Sequence, residues 1–178
     1  MNQAIPTPAF ATCDLCDAHE AEIHGALRVL PPVLRDFGAP RPFCGPVHTL
    51  RCPEDNARVR EAVNSPGAMD TPRGRVGRVL VIDGGGSLRR ALVGGNLAVA
   101  AAQNGWAGIV VDGCVRDVAE LRACGIPIRA LALMPLRTEK RGQGQAGEPV
   151  QIQGIWVRPG DWLYADEDGI VVADRALV

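Results

Sequence analysis

Residues 94–117 read GGNLAVAAAQNGWAGIVVDGCVRD, and this stretch decides the fold. It predicts a glycine turn, a helix over residues 96–104, a buried strand over 107–112, and an Arg116–Asp117 pair just past that strand. Helices and strands alternate on both sides of it, and hairpins dominate the C-terminal part of the chain. That succession indicates a mixed α/β sandwich.

The polar groups of this stretch suggest a site for a small metal-bound oxoacid. A helix N-terminus binds anions because its first backbone N–H groups lack partners. Arg116 can grip a carboxylate through two parallel hydrogen bonds, and Asp117 can hold a hard divalent cation. The spacing alone also fits a structural interpretation, in which Asn96 caps one helix and Asp117 lies at the solvated start of the next.

The rest of the chain shows no internal repeat or linker, so residues 1–178 are predicted to form a single domain. The other expected elements are a helix over 12–30 that Pro31 and Pro32 end, a strand over 43–51 broken at Gly45 and Pro46, a helix over 53–64, an exposed loop over 64–75, a strand over 77–83, a turn at Gly84, Gly85 and Gly86, a helix over 117–123, a strand over 127–133, and hairpins over 150–173.

Charge and hydropathy exclude several classes of protein. The formal net charge is −1 and the arginines are scattered, so the chain lacks the basic footprint of direct nucleic-acid binding. No apolar run approaches the ~20 residues that span a membrane. The first ten residues carry neither the basic start nor the apolar core of a signal peptide. A cytoplasmic protein with no membrane or RNA surface is therefore expected.

The sequence lacks the residue patterns that a structural zinc site, a phosphate-binding loop or a Schiff-base lysine would require. Cys13 and Cys16 could join Cys44, His48 and Cys52 at a zinc ion, but the second group lacks the spacing of structural zinc sites. The glycine run before Ser87 has no phosphate-loop lysine. Schiff-base catalysis needs a desolvated lysine, whereas the only lysine, Lys140, lies in a polar glycine-rich loop, so the sequence does not favour that mechanism.

Four segments together resemble one family. Residues 77–117, read GRVLVIDGGGSLRRALVGGNLAVAAAQNGWAGIVVDGCVRD, look like the signature region of the RraA-like family. The family includes the regulator of ribonuclease activity A and the 4-hydroxy-4-methyl-2-oxoglutarate (HMG) aldolases. Matching flanks are ATCDLCDAHEAE at 11–22, TEKRGQG at 138–144 and PGDWLYADEDGIVV at 159–172. The resemblance implies the swivelling β/β/α fold of phosphohistidine domains.

The resemblance also implies an activity and a site. HMG would be cleaved to two pyruvates, and oxaloacetate decarboxylated, through a pyruvate enolate with Mg²⁺ or Mn²⁺. Arg116 matches the substrate-binding arginine of the family and Asp117 its metal ligand, which makes these two the catalytic candidates. The residues that match the substrate loop are Gly94, Gly95, Asn96 and Leu97.

One position departs from the family pattern. Many family aldolases carry an acidic residue where this chain has Gly95, and its absence leaves proton delivery without an assigned residue. The other branch of the family implies an alternative function, a protein inhibitor of an endoribonuclease such as RNase E that acts by protein contact without catalysis. The resemblance further implies a homotrimer, or a hexamer of two trimers, with the active cleft between subunits.

Overall fold

The computed structural model describes residues 7–72 and 74–178. Its α-helices are α1 (Thr12–Ala18), α2 (Ala57–Val63), α3 (Gly95–Gln103) and α4 (Val118–Ala123). Its strands are β1 (Leu27–Val29), β2 (Arg35–Asp36), β3 (Phe43–Arg51), β4 (Ala68–Thr71), β5 (Gly74–Gly77), β6 (Val79–Val93), β7 (Gly108–Val115), β8 (Ile128–Leu133), β9 (Gln145–Ala146), β10 (Val150–Ile152), β11 (Ile155–Val157), β12 (Trp162–Ala165) and β13 (Ile170–Ala173).

One large sheet organises the molecule. In the described part of the chain its order is β1-β13-β12-β3-β6-β7-β8-β2, and β9 also pairs with β3. Strands β3, β6, β7 and β8 run parallel, and α3 and α4 connect β6 to β7 and β7 to β8. The carboxyl ends of β6 and β7 therefore lie side by side at one edge of the sheet.

Apolar side chains cover both faces of this sheet. Leu80 and Ile82 of β6 pack with α2, α3 and α4 on one face, whereas Val79 and Val81 pack with the β10–β11 hairpin and β12 on the other. This alternation follows from the period of two in a strand. Helices on one face and hairpins on the other form the expected β/β/α layers, and the prediction of a mixed α/β sandwich is confirmed.

The predicted helix over residues 12–30 is wrong. The α-helix ends at Ala18, a 3₁₀ turn follows at Glu20–Glu22, and His24 then adopts the left-handed conformation at φ 71°. The reason lies in a distant part of the chain, because Leu27–Val29 forms strand β1 by pairing antiparallel with β13. A helix through this segment would leave the edge of β13 without that partner.

The predicted glycine turn at residues 84–86 is also wrong, because β6 continues through it to Val93. Gly85 and Gly86 both have positive φ, and the pairing of β6 with β7 shifts register at this point. The glycines therefore form a bulge inside the strand, which their conformational freedom permits. The extended strand carries the chain directly to Gly94.

Three further expectations need correction. The predicted loop over 64–75 contains the β4–β5 hairpin. The predicted break in β3 is absent from the described strand, since Gly45 lies within it at a place where a Cβ atom would be 2.1 Å from the carbonyl oxygen of Gly77. Helix α2 begins at Ala57 rather than residue 53, because Glu54 is left-handed at φ 56°.

Within the described residues, none of the helices is long and apolar enough to cross a membrane.

Candidate active site

The predicted site residues meet where β6 and β7 end. Val93 and Val115 are paired neighbours at the ends of the two strands, and the backbone N–H of Arg116 donates to the carbonyl of Val93 at 3.0 Å. Gly94 and Arg116 follow these residues directly. The carboxyl ends of parallel strands are where open α/β sheets bind ligands, so the location suits a binding site.

Asp117 lies against the N-terminus of α3. Its Oδ2 atom accepts a hydrogen bond from the backbone N–H of Gly95 at 3.2 Å and lies 3.4 Å from Nε of Arg116. Asp117 is also the N-cap residue of α4 in position, yet its side chain makes no capping hydrogen bond there. Its backbone is left-handed at φ 59°, a conformation that Asp tolerates better than most residues. The carboxylate is thereby turned away from its own helix and toward α3.

Gly94 is required for this approach. A Cβ atom at position 94 would lie 2.6 Å from Oδ2 of Asp117 and 3.2 Å from Nε of Arg116. Contacts that short would displace the carboxylate or the guanidinium. The missing side chain at Gly94 therefore allows both charged groups to reach the start of the helix.

Glu120 belongs to the same site, and the sequence argument missed it. A Cβ atom at position 95 would lie 1.7 Å from Oε2 of Glu120, so the carboxylate of this residue occupies the space beside Gly95. Glu120 is three residues after Asp117, in the first turn of α4. An acidic residue so soon after Asp117, at the start of the predicted helix, was the available signal in the sequence.

The first turn of α3 supplies backbone donors. Gly94 is its N-cap, so the interpretation of Asn96 as the cap is wrong. The N–H of Leu97 is satisfied by the carbonyl of Gly94 at 3.1 Å, and its side chain packs against the core. Among the described residues, the N–H of Asn96 has no protein acceptor. In this turn the N–H of Gly95 donates to Asp117, whereas the N–H of Asn96 is available to a ligand.

The donor set fits a magnesium-like ion only if other oxygen atoms complete it. The described residues hold no group of three His, Cys, Asp or Glu side chains arranged to bind a metal. Asp117 and Glu120 place carboxylate oxygens next to Gly94 and Gly95 respectively. Mg²⁺ commonly uses one or two carboxylates and takes its remaining ligands from water and substrate. Two acidic residues are therefore compatible with a substrate-assisted site.

Two other carboxylates have structural roles. Asp166, between β12 and β13, accepts hydrogen bonds from the backbone N–H and the hydroxyl of Thr12, both at 2.6 Å. Burial alone would raise the pKa of Asp166, but these bonds and the N–H groups of Asp168 and Gly169 outweigh it and lower the pKa. The two outer signature segments of the chain, at 11–22 and 159–172, therefore meet at this carboxylate.

Asp55 holds the segment TEKRGQG in place. Its side chain is 1% exposed and accepts the N–H groups of Ala57 at 2.7 Å, Arg141 at 2.6 Å and Gln143 at 3.1 Å. Burial opposes ionisation here too, but the backbone donors prevail and the pKa of Asp55 is lowered. This segment is thus tied to the start of α2 rather than to the Arg116–Asp117 pair.

Both the sequence and the fold of this chain match those of known proteins. The family model described as RraA-like, aldolase/RraA, matches residues 12–172. The chain belongs to the RraA-like family. A protein of Albidiferax ferrireducens, provisionally named a 4-hydroxy-4-methyl-2-oxoglutarate aldolase, is 70% identical over 172 residues, which is 97% of this chain and 99% of that protein.

Solved structures of two RraA-like relatives share the fold. The structure of the RNA-processing inhibitor RraA from Thermus thermophilis superposes with a TM-score of 0.85 at 42% identity and covers 96% of each chain. A structure from Geobacillus kaustophilus, named an S-adenosylmethionine:2-dimethylmenaquinone methyltransferase, has a TM-score of 0.82 at 38% identity over 94% of this chain and 97% of that one. The names of these relatives thus divide among an aldolase, an inhibitor and a methyltransferase.

Proposed function

We propose that this protein is a divalent-metal-dependent carbon–carbon lyase. It cleaves HMG to two pyruvates and decarboxylates oxaloacetate as a side activity. The observation that carries the proposal is the Asp117 carboxylate, which is 36% exposed and turned out of its own helix to face Arg116 and the N-terminus of α3. The 70% identical relative with an aldolase name supports the same reaction class.

Each residue of the site has a role in this reaction. Arg116 and the open N–H of Asn96 bind the carboxylate of the 2-oxoacid. Asp117 would hold Mg²⁺ or Mn²⁺, which leaves the carboxylate of Glu120, beside Gly95, free for proton transfer. When bound, the cation supplies a Lewis acid that stabilises negative charge on the 2-oxo oxygen. Arg116 adds a second positive charge at the same end of the substrate.

Proton transfer is assigned to Glu120. In HMG cleavage the hydroxyl on C4 loses its proton, the C3–C4 bond breaks, and C3 of the resulting enolate gains a proton to give the second pyruvate. In oxaloacetate decarboxylation the departing group is carbon dioxide, and the same carbon is protonated. Glu120 lies beside Gly95, where many family aldolases carry an acid, so its carboxylate is placed to exchange these protons directly or through water.

A Schiff-base route has no residue to support it. Lys140 is the only lysine, it is exposed, and it lies on the segment that Asp55 ties to α2. A methyltransferase role receives no support either. The glycines at 84–86 lie inside β6 and do not precede a helix, which a dinucleotide-type loop would require.

The test is pyruvate release from HMG and from oxaloacetate, measured with Mg²⁺, with Mn²⁺ and after EDTA treatment. We expect turnover of both substrates that EDTA abolishes and added metal restores. Release above the uncatalysed rate that does not respond to metal would contradict the metal-dependent mechanism. A failure to turn over either substrate with either metal would reject the enzyme assignment.

We further propose a homotrimer, alone or paired into a hexamer, whose subunits close the site. Leu133, at the end of β8, pairs in register with Val115 just before Arg116 and is 46% exposed. Leu136, a few residues on, is 51% exposed. Exposed leucines near a site that offers only two acidic residues of its own are suited to a subunit contact. Light scattering at micromolar concentration should give three or six times the 18.8 kDa chain mass, and a monomer would contradict the proposal.

A second function is favoured by one specific comparison. The relative from Thermus thermophilis is named an RNA-processing inhibitor, and it covers 96% of this chain. On this alternative the protein inhibits an endoribonuclease by direct contact and does not cleave 2-oxoacids. A pull-down with the host ribonuclease that gives the same yield for the Asp117→Ala variant, together with no lyase turnover, would select the inhibitor function over the enzyme.

A further inference from the structure

A groove lies on the outer face of α2, apart from the Arg116–Asp117 site. Its volume is about 420 Å³, within the range of small-molecule sites. Its helical lining comes from residues spaced at i, i+3, i+4 and i+7, which share one side of a helix, and Lys140 closes it from the segment TEKRGQG. The lining residues are Ala57, Arg60, Glu61, Asn64 and Lys140.

The groove has two walls, helix α2 and the backbone around Lys140, and the buried carboxylate of Asp55 forms hydrogen bonds with both. Asp55 accepts the N–H of Ala57, the first residue of α2, and the N–H of Arg141, the residue after Lys140. A third bond comes from Gln143. Because a single side chain fixes the start of the helix and the backbone beside Lys140, the distance between the walls is set by the fold. The lysine is therefore anchored at its backbone, although its side chain is exposed.

The acidic residues near the groove are committed elsewhere. Glu61 pairs with Arg58 at 2.7 Å, on the same helix. Glu139 pairs with Arg141 and with Arg90. Across the part of the chain that the structure describes, neither Arg60 nor Lys140 has an ion-pair partner. The lining thus contains two cations without an ion-pair partner, Arg60 and Lys140, and one acid, Glu61, whose charge is paired with Arg58.

We propose that this groove binds a small dicarboxylate, with one carboxylate on Arg60 and the other on Lys140. The two cations belong to different elements on the two walls, which suits a ligand with two separated negative charges better than a compact anion. Arg60 offers a planar fork to one carboxylate, and Lys140 a point charge to the other. Asn64 lies one helical turn from Arg60 in the same lining, where its amide N–H donates to the carbonyl of Arg60 at 2.7 Å.

This site is independent of the proposed lyase function. None of its lining residues belongs to the Gly94–Leu97 turn or to the Arg116–Asp117 pair. A ligand here would be a second molecule, bound whether or not the lyase site is intact. The Arg116→Gln variant therefore separates the two proposals, because it removes the carboxylate-binding side chain of the lyase site and leaves the groove unchanged.

Succinate titration by calorimetry tests the proposal, with butyrate and inorganic phosphate as comparison ligands. The Arg116→Gln variant, in which the lyase site has lost its carboxylate-binding side chain, should bind one succinate per chain in a saturable manner, more tightly than either comparison ligand, and the affinity should fall as salt rises. The groove variants are made in this background. Arg60→Gln and Lys140→Gln should each weaken binding about tenfold or more, since each removes a charge-assisted hydrogen bond. Arg75→Gln in the same background, which removes an exposed cation on the β4–β5 hairpin, should bind as Arg116→Gln alone does.

Several results would overturn the proposal. The first is the absence of succinate binding. The second is an unchanged affinity for succinate in both Arg60→Gln and Lys140→Gln, and the third is tighter binding of phosphate than of succinate. Loss of succinate binding in Arg116→Gln would place the ligand at the lyase site instead and overturn it as well. Because both groove side chains are exposed, their variants should keep the melting temperature of Arg116→Gln, and a melting curve for each confirms that the fold is intact.

Discussion

The side chains of Asp166 and Asp117 each accept a hydrogen bond at the N-terminus of a helix, α1 and α3 respectively, but their surroundings differ completely. Asp166 is 8% exposed and accepts hydrogen bonds from Thr12, Asp168 and Gly169. Asp117 is 36% exposed in its side chain and accepts a single, longer bond from Gly95. The first carboxylate has its hydrogen-bonding capacity filled by the protein, and the second keeps most of it open.

The difference identifies which acidic residue is available for chemistry. A carboxylate that already accepts several N–H and O–H groups stabilises the fold, and a metal ion would have to displace those donors. A carboxylate with open lone pairs, held beside a helix N-terminus and an arginine, can bind a cation without breaking the structure. Satisfied acids should therefore affect stability when changed, and the unsatisfied acid should affect turnover.

The largest expected effect is on turnover, from Arg116→Lys. The substitution keeps the positive charge but loses the planar fork, so the substrate carboxylate and the developing oxyanion lose a bidentate partner. We expect a decrease of about 10²–10³ in the rate of pyruvate release. Arg122→Lys, at the other end of α4, is the matched control and should be unaffected. A normal rate in Arg116→Lys would mean that the pair only begins a helix.

Asp166→Ala should show the opposite pattern. Loss of the acceptor leaves the Thr12 groups and the turn N–H groups without a partner, and the free energy of unfolding should fall by about 2 kcal/mol. Denaturant unfolding measures this, and the rate per folded molecule should stay normal. A variant with unchanged stability would show that this carboxylate is not a structural cap.

The pH dependence of stability provides a related test. The pKa of Asp166 is lowered in the folded state, so near its ordinary pKa the unfolded chain binds more protons than the folded one. Its stabilising contribution is present above about pH 4 and is lost as pH falls through the lowered pKa. Wild type should therefore lose more stability than Asp166→Ala between about pH 5 and pH 2. Parallel curves for the two proteins would contradict this.

A substitution at Gly95 should change turnover by a smaller factor, and the direction of the change is informative. Gly95→Asp places a side chain where Oε2 of Glu120 lies, so the two carboxylates must compete for one space. We expect Gly95→Asp alone to reduce turnover roughly tenfold and Gly95→Asp with Glu120→Ala to recover part of it, because contacting residues couple non-additively. If the double variant were no better than the single one, Glu120 would not substitute for an acid at position 95.

The smallest effect concerns the buried acid Asp112. Burial raises the pKa of its carboxyl group, and the amide of Gln153 donates to Oδ1 at 2.6 Å. Because the folded pKa is raised, this group lowers stability as pH rises through that pKa. Asp112→Asn keeps an acceptor for Gln153 and removes the charge, so its melting temperature at pH 7 should be slightly higher than that of the wild type. The exposed change Asp70→Asn should have no such effect, and a lower melting temperature in Asp112→Asn would contradict the argument.

Local sequence patterns were sufficient for the part of the fold that carries the site. The glycine turn, α3 and β7 are found close to their predicted positions, although α3 is capped by Gly94 rather than Asn96 and β7 runs on to Val115. Long-range pairing could not be predicted in the same way. Residues 27–29 become a strand only because β13, from the other end of the chain, provides an edge.

Contacts between distant residues at the site could not be predicted from local sequence patterns either. Gly95 was interpreted as the loss of an acidic residue. The sequence does not show that the carboxylate of Glu120, from α4, lies beside this glycine. The roles of Asp55 and Asp166 as acceptors for distant segments were invisible for the same reason, since their partners are far apart in sequence. Only the backbone arrangement distinguishes these satisfied acids from Asp117.

The most direct test of the central claim is oxaloacetate decarboxylation as a function of Mg²⁺ concentration, in the wild type and in Asp117→Asn. Asn keeps the size of the side chain and tolerates the left-handed backbone at φ 59°, so the fold should be retained. The wild type should show saturable activation by Mg²⁺, and Asp117→Asn should show no activation across the same range with an unchanged melting temperature. Full Mg²⁺-stimulated activity in Asp117→Asn would contradict the account, because the cation would then be held elsewhere.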